Sequence, residues 1–304
     1  MSILIETHEL SKWFGEVVAL NNLTVTINEG VTGLLGSNGA GKSTFIKLAL
    51  GLYGPSRGHI NVLGGAPRNN PAVLSRIGYC PEVDNFYDGM SGYEFVYWLT
   101  RQWGMRGKDA RKASEEAIER VKMTDRMDDL IDEYSKGMRQ RIKLAQALAV
   151  KPDLLFLDEP MNGLDPQGRE QMYALIRDLA AEGRSVVVSS HILHEVEKIT
   201  DNVVLLYNGS ILAQGRVREI RDLIDKHPHT ITILAPNTRE IVKQFADDSA
   251  ITDITFDGET LILRTRDPHG CYQRLNELAC SGYPFHEITC ADDNLQSVFD
   301  YLVK

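Results

Sequence analysis

This sequence of 304 residues lacks any apolar stretch long enough to cross a bilayer, which takes about 18 or more residues in succession. If the protein acts at a membrane, another chain must therefore span it. The segment MSILIETHEL at the start has neither a basic region nor a long apolar run. We interpret it as a strand and not as a targeting segment.

Cysteine is scarce, and positive charge is in deficit. None of the cysteines forms a C-x-x-C pair, so free thiols in a reducing cytosol are the simplest interpretation. Three of them lie near His269 and His286, but the spacing fits no zinc pattern. The formal net charge of −9 argues against extended binding to nucleic acid, although it leaves room for a small basic patch. The cysteines are Cys80, Cys271, Cys280 and Cys290.

What is present is the composition of a soluble globular protein, with 43% hydrophobic and 25% charged residues. The length suits one large domain with a small one, or two domains of medium size.

A glycine-rich motif organises the first half of the chain. Residues 36–44 read GSNGAGKST, in the frame G-x-x-x-x-G-K-[ST], between an apolar run at 31–35 and a helical pattern at 42–52. Loop N–H groups of this kind surround phosphates, Lys42 adds charge near the β- and γ-phosphates, and the Ser43 hydroxyl is a ligand for Mg²⁺. The alternative is a plain glycine turn. The predicted nucleotide-binding residues are Gly36, Ser37, Asn38, Gly39, Ala40, Gly41, Lys42, Ser43 and Thr44.

Two carboxylates follow a second predicted strand. Residues 154–157 read LLFL, and Asp158 and Glu159 come directly after them. Ligands bind at the carboxyl ends of strands in open parallel sheets, so we expect both acids at the site. Asp158 suits Mg²⁺, directly or through water, and Glu159 suits a general base or a residue that orients water. The alternative, a solvated acidic turn, is disfavoured by the apolar run.

His191 lies just past another predicted buried strand, at 185–189. A lone histidine is usually only a polar surface residue. At the carboxyl end of a core strand, however, it is a candidate contact for the γ-phosphate.

Helical patterns dominate residues 91–150. Ser91 and Glu94 form a capping box for the first helix, a second is predicted at 108–123, and a third runs from Ser135 to about 150. The serine and glycine at the third entry, with basic residues nearby, would suit an anion. From local sequence alone a plain N-cap at Ser135 is the better interpretation.

Phe14 lies between short strands predicted at 3–5 and 23–27. An aromatic just upstream of a nucleotide loop would stack on a base, but packing within a sheet is equally compatible with its position.

The rest of the chain divides into further elements and a separate C-terminal part. A turn at 163–166, a helix at 167–182 and a hairpin at 203–213 precede a charged linker at 214–230. Beyond it the predicted order is strand, helix, strand, strand, helix and strand, followed by a helix at 295–303. This order resembles a ferredoxin-like domain and contains no catalytic constellation.

GSNGAGKST, LLFLDEP and SSH, in this order and with a helical insert before the second, resemble the ATP-binding subunit of ABC transporters over about residues 1–220. YSKGMRQR stands where that family has its signature, usually LSGGQ, and its form is similar to the branch that pairs with separate exporter-type permeases. The resemblance implies an α/β P-loop NTPase of ABC type, with an N-terminal antiparallel β subdomain and a helical subdomain at about 85–150. Residues 221–304 would be a linker and a C-terminal accessory α+β domain.

The resemblance also implies roles for single residues. Phe14 would stack on adenine, Asp158 would be the acid associated with Mg²⁺, and Glu159, His191 and Lys42 would be catalytic. Three further residues would act across a pair of subunits: Ser135 and Gly137 as ligands of the γ-phosphate bound on the partner, and Asp165 in a loop that crosses between protomers.

The sequence departs from the family pattern at three positions. Lys136 and Met138 replace a glycine and a glutamine of the usual signature, while Ser135 and Gly137 remain. Glu82 stands where the family normally has glutamine. A carboxylate beside a triphosphate is unfavourable unless a metal offsets it, so Glu82 would either ligate Mg²⁺ with Ser43 and Asp158 or face the permease.

The implied function is ATP hydrolysis with Mg²⁺ by two subunits, identical or paralogous, that drive integral-membrane permease subunits from the cytoplasmic face of a membrane. No nucleic-acid partner is expected. An alternative is an ABC-type ATPase that acts on ribosomes or DNA. A kinase or GTPase is disfavoured because no N-K-x-D element is present. For the C-terminal domain we favour a dimer contact over a ligand sensor, because no binding constellation is visible.

Overall fold

Residues 2–217, 229–246 and 248–290 are described by the computed structural model. The chain divides into two units, Met1–Arg216 and Val217–Lys304. No helix in the described ranges combines the length and apolar character that crossing a bilayer requires.

A six-stranded sheet forms the centre of the first unit, with the order β5-β6-β7-β3-β8-β9. The first five of these strands are parallel, and β9 pairs antiparallel to β8 at the edge. The carboxyl ends of the parallel strands therefore meet at one edge of the sheet. The strands are β3 (Val31–Leu35), β5 (Ile77–Cys80), β6 (Leu154–Leu157), β7 (Ser185–Ser190), β8 (Asn202–Tyr207) and β9 (Ser210–Arg216).

Helices and an antiparallel sheet cover the two faces of this sheet. Successive residues of β6 alternate between the two cores: Leu155 belongs to one core and Phe156 to the other. Burial on both faces explains why β6 is a continuous apolar run and why β3 and β7, which are also buried throughout, show no apolar–polar alternation. The helices are α1 (Lys42–Ala49), α2 (Pro71–Leu74), α3 (Gly92–Gln102), α4 (Gly107–Arg120), α5 (Lys136–Ala149), α6 (Pro166–Ala181) and α7 (Leu193–Glu197).

The predicted capping box is confirmed. The Ser91 hydroxyl accepts from the Glu94 N–H at 3.2 Å, and the Glu94 carboxylate accepts from the Ser91 N–H at 3.0 Å. Two backbone N–H groups at the start of α3, which have no partner within the helix, are thereby hydrogen-bonded.

The antiparallel sheet has the order β2-β1-β4, from β1 (Ile3–Phe14), β2 (Val17–Asn28) and β4 (Arg57–Val62). The short strands predicted at 3–5 and 23–27 were wrong in length, because β1 and β2 form one long hairpin that includes Phe14. Glu9 and Asn22 adopt positive φ angles of 49° and 54°, and the register shifts between Thr7 and Leu10. Such bulges interrupt the two-residue alternation by which a strand is recognised.

The second unit has the strand order β11-β12-β10-β13, with all pairs antiparallel. This order confirms the ferredoxin-like prediction. The inner faces of β10 and β12 contribute Ile231, Ile233, Leu261 and Leu263 to its core. Its elements are β10 (His229–Leu234), α8 (Thr238–Phe245), β11 (Ile251–Asp257), β12 (Thr260–Thr265), α9 (Pro268–Cys280) and β13 (Glu287–Cys290).

Two C-terminal predictions fall outside what the structure describes. The helix predicted at 295–303 lies wholly outside the described residues, as does most of the linker predicted at 214–230. The start of that linker was wrong, because β9 continues to Arg216.

Candidate active site

The glycine loop joins the end of β3 to the start of α1. Gly41, at the N-cap of α1, has a φ of 106°, and a β-carbon there would lie 2.8 Å from the Ala19 carbonyl oxygen. A β-carbon on Gly36 would lie 2.6 Å from the Leu206 carbonyl oxygen. Only glycine fits at these two positions, so the sequence motif corresponds to a steric requirement of the loop.

Lys42 is buried inside this loop, with 6% of its surface exposed. Its ammonium donates to the carbonyl oxygens of Gly36 at 2.6 Å and Ser37 at 3.2 Å. It also lies 3.1 Å from Oε1 of Glu159. The loop thus holds a cation in position, and the carboxylate beyond β6 compensates its charge.

Asp158 follows the last residue of β6 and is 2% exposed. Its Oδ1 accepts from the Ser189 hydroxyl at 2.6 Å and from the Ser43 hydroxyl at 3.4 Å. Burial raises the pKa of Tyr79 above its ordinary value, and the nearby Asp158 carboxylate raises it further. Tyr79 therefore stays protonated beside this acid.

The fold brings Ser43 and Asp158 together across 115 positions of sequence. Mg²⁺ takes oxygen ligands, and it is usually held by one or two carboxylates together with substrate phosphates. Among the described residues no group of three or more His, Cys, Asp or Glu side chains forms a metal site. One carboxylate and one hydroxyl fit Mg²⁺ that arrives with a nucleotide, and they do not fit a dedicated protein cage.

Glu159 lies between two of the other predicted residues. Its carboxylate is 3.1 Å from the Lys42 ammonium at Oε1 and 2.9 Å from Nδ1 of His191 at Oε2. Its side chain is 7% exposed, whereas His191 is 42% exposed. The backbone of Glu159 has a φ of 48°, a strained conformation for a residue with a side chain. The three side chains form one connected group.

Ser189 positions both acids, and sequence reasoning missed it. Its hydroxyl donates to Asp158 and accepts from the Glu159 N–H at 2.8 Å. The register explains this, because Val188 pairs with Leu157 and Ser189 is therefore level with Asp158. The SSH motif predicts a role for its histidine alone. The signal available was a run of buried serines, Ser189 and Ser190, directly before the predicted histidine at the carboxyl end of the strand.

The elements at Ser135 and Asp165 form a second region. The Ser135 hydroxyl caps α5 by accepting from the Met138 N–H at 3.3 Å, so the cap is present, and the role of Ser135 as a phosphate ligand stays a prediction. The Asp165 carboxylate caps α6 by accepting from the Gly168 N–H at 2.7 Å. Ser135, Gly137 and Asp165 line one hollow of about 480 Å³. Lys42, Asp158, Glu159 and His191 do not line it.

Lys136 extends from the start of α5 across this second region. A β-carbon on Gly163 would lie 2.1 Å from the Lys136 ammonium, and Gly163 has a φ of 73°. The lysine therefore packs on a glycine of the turn that precedes Asp165. Lys136 is exposed, and no ion pair to it is found within the described part of the chain.

Phe14 and Glu82 lie at the margins of the site. The Phe14 ring is 42% exposed and packs edge-on against Tyr53, with 5.2 Å between ring centres. Glu82 is exposed, and its Oε1 accepts from the Asn162 amide at 3.4 Å. No hydrogen bond links Glu82 to Ser43 or Asp158 in the described residues. Base stacking by Phe14 and metal ligation by Glu82 stay predictions.

The comparisons with known proteins agree on one family. The ABC transporter family profile matches residues 20–162. The bacitracin transport ATP-binding protein BcrA of Bacillus licheniformis is 33% identical over 100% of this chain and 97% of its own length. The Nod factor export ATP-binding protein I of Burkholderia lata is 32% identical over 89% of each chain.

Solved structures agree with the fold. A structure of an ATP-binding subunit of an ABC transporter has a TM-score of 0.65 at 28% identity, and covers 73% of this chain and 93% of the other. A dimeric bacterial ABC transporter cassette has a TM-score of 0.65 at 23% identity over 71% of this chain and 99% of its own, which bears on the fold alone.

Ser189→Ala should slow ATP hydrolysis by about 10-fold or more while nucleotide binding changes little. The reason is that the Glu159 N–H and the Asp158 carboxylate lose their shared partner, and each unsatisfied buried group costs about 1–3 kcal/mol. Ser185→Ala is the matched control, because Ser185 is buried in the same strand and its hydroxyl accepts only from the Gly30 N–H at 3.3 Å among the bonds described. Equal losses of phosphate release in both variants would show that Ser189 has no special role.

Proposed function

The chain belongs to the ABC transporter family as an ATP-binding subunit that hydrolyses ATP, and from this premise we propose that it works in pairs to drive a permease from the cytoplasmic face of a membrane. The proposal rests on one observation above all: Glu159 lies between Lys42 and His191 at the carboxyl edge of the sheet. Relatives that match nearly the whole chain are named for bacitracin transport and Nod factor export. These names favour an exporter over an ATPase that acts on ribosomes or DNA.

Each group of the site has a part in phosphoryl transfer, which depends on positioning and charge stabilisation. The loop N–H groups and Lys42 hold the β- and γ-phosphates. Ser43 and Asp158 would hold Mg²⁺, which would supply positive charge to neutralise the phosphate oxygens. Glu159 orients the attacking water or accepts its proton at Oε1, and His191 contacts the γ-phosphate.

The contact between Lys42 and Glu159 suggests how nucleotide binding prepares the base. A triphosphate on the loop carries more negative charge than one carboxylate, so it competes for the same ammonium. As Lys42 turns to the phosphates, Oε1 of Glu159 loses its counter-ion and becomes available to water. Ser189 holds the Glu159 backbone in place during this exchange.

The second region supports the proposal that each site is completed by another copy. Ser135 and Gly137 lie at the N-terminus of α5, where free N–H groups and the helix dipole attract an anion. They share their hollow with Asp165 and not with the glycine loop of the same chain. We infer that Ser135 and Gly137 of one subunit contact the γ-phosphate of a nucleotide bound on its partner. The exposed ammonium of Lys136 adds positive charge at that contact.

A groove between strand β5 and helices α3 and α5 suits a permease segment. It has a volume of about 420 Å³ and includes Leu52, Tyr87, Leu99 and Trp103 in its lining. Leu52 and Tyr87 are 62% and 58% exposed. Pro81, next to Glu82, also lines it. An apolar helix of the permease would bury these side chains and sense movement of the loop that carries Glu82.

The second unit is proposed to be an accessory domain, with the ATPase domain covering about residues 1–220 and the linker and accessory domain covering 221–304. The similarity to the bacitracin protein extends over this region too. The described residues there form a ferredoxin-like sheet with an apolar core and contain no group of three or more His, Cys, Asp or Glu side chains that could hold a metal ion. A contact that stabilises the dimer is the role that needs the fewest assumptions for such a domain.

Glu159→Gln should bind ATP, hydrolyse it at least about 100-fold more slowly, and accumulate as an ATP-dependent dimer. Glutamine keeps the shape but accepts no proton. Phosphate release measures the first effect, and light scattering after gel filtration measures the second. Glu170→Gln makes the same change at an exposed residue paired with Lys198 and should behave as wild type. Near-normal turnover of Glu159→Gln would overturn the assignment.

Gly163→Ala should reduce hydrolysis more than Gly183→Ala does, at a similar cost in stability. Both glycines have positive φ angles, of 73° and 81°, so alanine strains either turn by about 1–2 kcal/mol. Only at position 163 does the new methyl group displace Lys136, since nothing lies within 4 Å at position 183. Thermal unfolding and ATP turnover separate the effects. Equal activities in the two variants would remove the role proposed for Lys136.

A further inference from the structure

Positively charged residues and tryptophans are concentrated where helix α3 ends and helix α4 begins. We name residues 98–112 the α3–α4 corner; they cover the end of α3, the turn and the start of α4. The corner has a formal charge of +4, from five cations and one carboxylate, in a chain whose net charge is −9. The cations are Arg101, Arg106, Lys108, Arg111 and Lys112, and the carboxylate is Asp109.

These side chains face solvent. All five cations are exposed, and Trp98 and Trp103 are 51% and 45% exposed. Two of the cations have protein partners: Arg101 donates to the Met105 carbonyl oxygen at 2.7 Å, and Lys112 lies 3.8 Å from Glu116. The described residues offer no ion pair to the remaining three.

The helical spacing places these charges on one surface. Lys108, Arg111 and Lys112 lie at i, i+3 and i+4 of α4, while Ala110 and Ala113 on the opposite side are buried. Apart from Asp109, the acids of α4 come later, at Glu115, Glu116 and Glu119. The first turns of α4 therefore carry net positive charge, because three cations outnumber the one carboxylate there, and Lys112 pairs with Glu116 where the acidic end of the helix begins.

We propose that the α3–α4 corner contacts the anionic headgroup layer of a lipid bilayer. Tryptophan rings favour the boundary between headgroups and acyl chains, and clustered Lys and Arg are attracted to anionic lipids. Trp103 also lines the groove proposed for the permease, so the two surfaces are continuous. The inference rests on the membrane location in the proposed function, but it does not depend on the chemistry of the ATP site. The corner would hold helices α3 and α4 against the membrane beside the permease.

The test uses the full chain and vesicles of phosphatidylcholine with and without phosphatidylglycerol. The chain has three tryptophans, so Trp13→Phe leaves only Trp98 and Trp103 as fluorescent reporters. We expect binding to the anionic vesicles, a blue shift of tryptophan emission, quenching by brominated lipid, and weaker binding as salt rises. Equal binding to neutral vesicles, no binding to anionic ones, or unchanged emission would overturn the proposal.

A charge variant provides the second arm. Arg106→Gln, Lys108→Gln and Arg111→Gln together should weaken binding to anionic vesicles by about 10-fold or more. The matched control is Arg57→Gln, Arg76→Gln and Arg239→Gln, which removes the same charge from exposed positions elsewhere and should change binding less than about 2-fold. Equal losses in the two triple variants would show that only net charge matters and would overturn the proposal.

Two further readouts remove the remaining ambiguity. Hydrolysis of ATP in solution should be unchanged in both triple variants, so that loss of lipid binding with intact hydrolysis tests the corner and leaves the proposed ATPase mechanism untouched. A single-stranded DNA oligonucleotide serves as a competing polyanion. Binding to it as tight as to the anionic vesicles at the same salt would identify a general polyanion site and overturn the lipid proposal.

Discussion

A buried ion pair between Lys42 and Glu159 is the interaction on which the rest of the site depends. Both side chains are almost fully enclosed, at 6% and 7% exposure, and removal of one partner from such a pair is costly because a buried charge is left alone. The position of the glycine loop relative to the acidic end of β6 must therefore be fixed. The hydroxyl of Ser189 fixes the acidic strand end, since it donates to Asp158 and accepts from the Glu159 N–H, while the Ser43 hydroxyl joins Asp158 to the helix that follows the loop.

The parallel sheet makes this arrangement possible. Lys42, Glu159 and His191 are far apart in sequence, but each follows a strand whose carboxyl end lies at the same edge of the sheet. Ser135 and Asp165 instead begin helices in a hollow of their own. A nucleotide bound at the sheet edge would thus meet only half of the expected ligands within one chain, and a second copy would supply the others.

Sequence reasoning succeeded where one strong pattern determines the structure. The glycine motif, the apolar run at 154–157 and the capping box at Ser91 each have a steric or hydrogen-bonding requirement that few sequences meet. It failed where the structure depends on contacts distant in sequence. The bulges at Glu9 and Asn22 obscured the long hairpin, and Ser189 acquires its role only from its register beside Asp158. The packing of Lys136 on Gly163 likewise joins the start of α5 to a turn that no local pattern connects with it.

The central claim is that each catalytic site is completed by another subunit. It is tested most directly by mixing two variants. Lys42→Ala removes the cation of the phosphate loop, and Ser135→Arg blocks the region that would contact the nucleotide of the partner. The account predicts that each variant alone hydrolyses almost no ATP, that Ser135→Arg still binds it, and that an equal mixture regains activity because mixed pairs contain one intact site. A mixture no more active than its components, or full activity of Ser135→Arg by itself, would contradict the account.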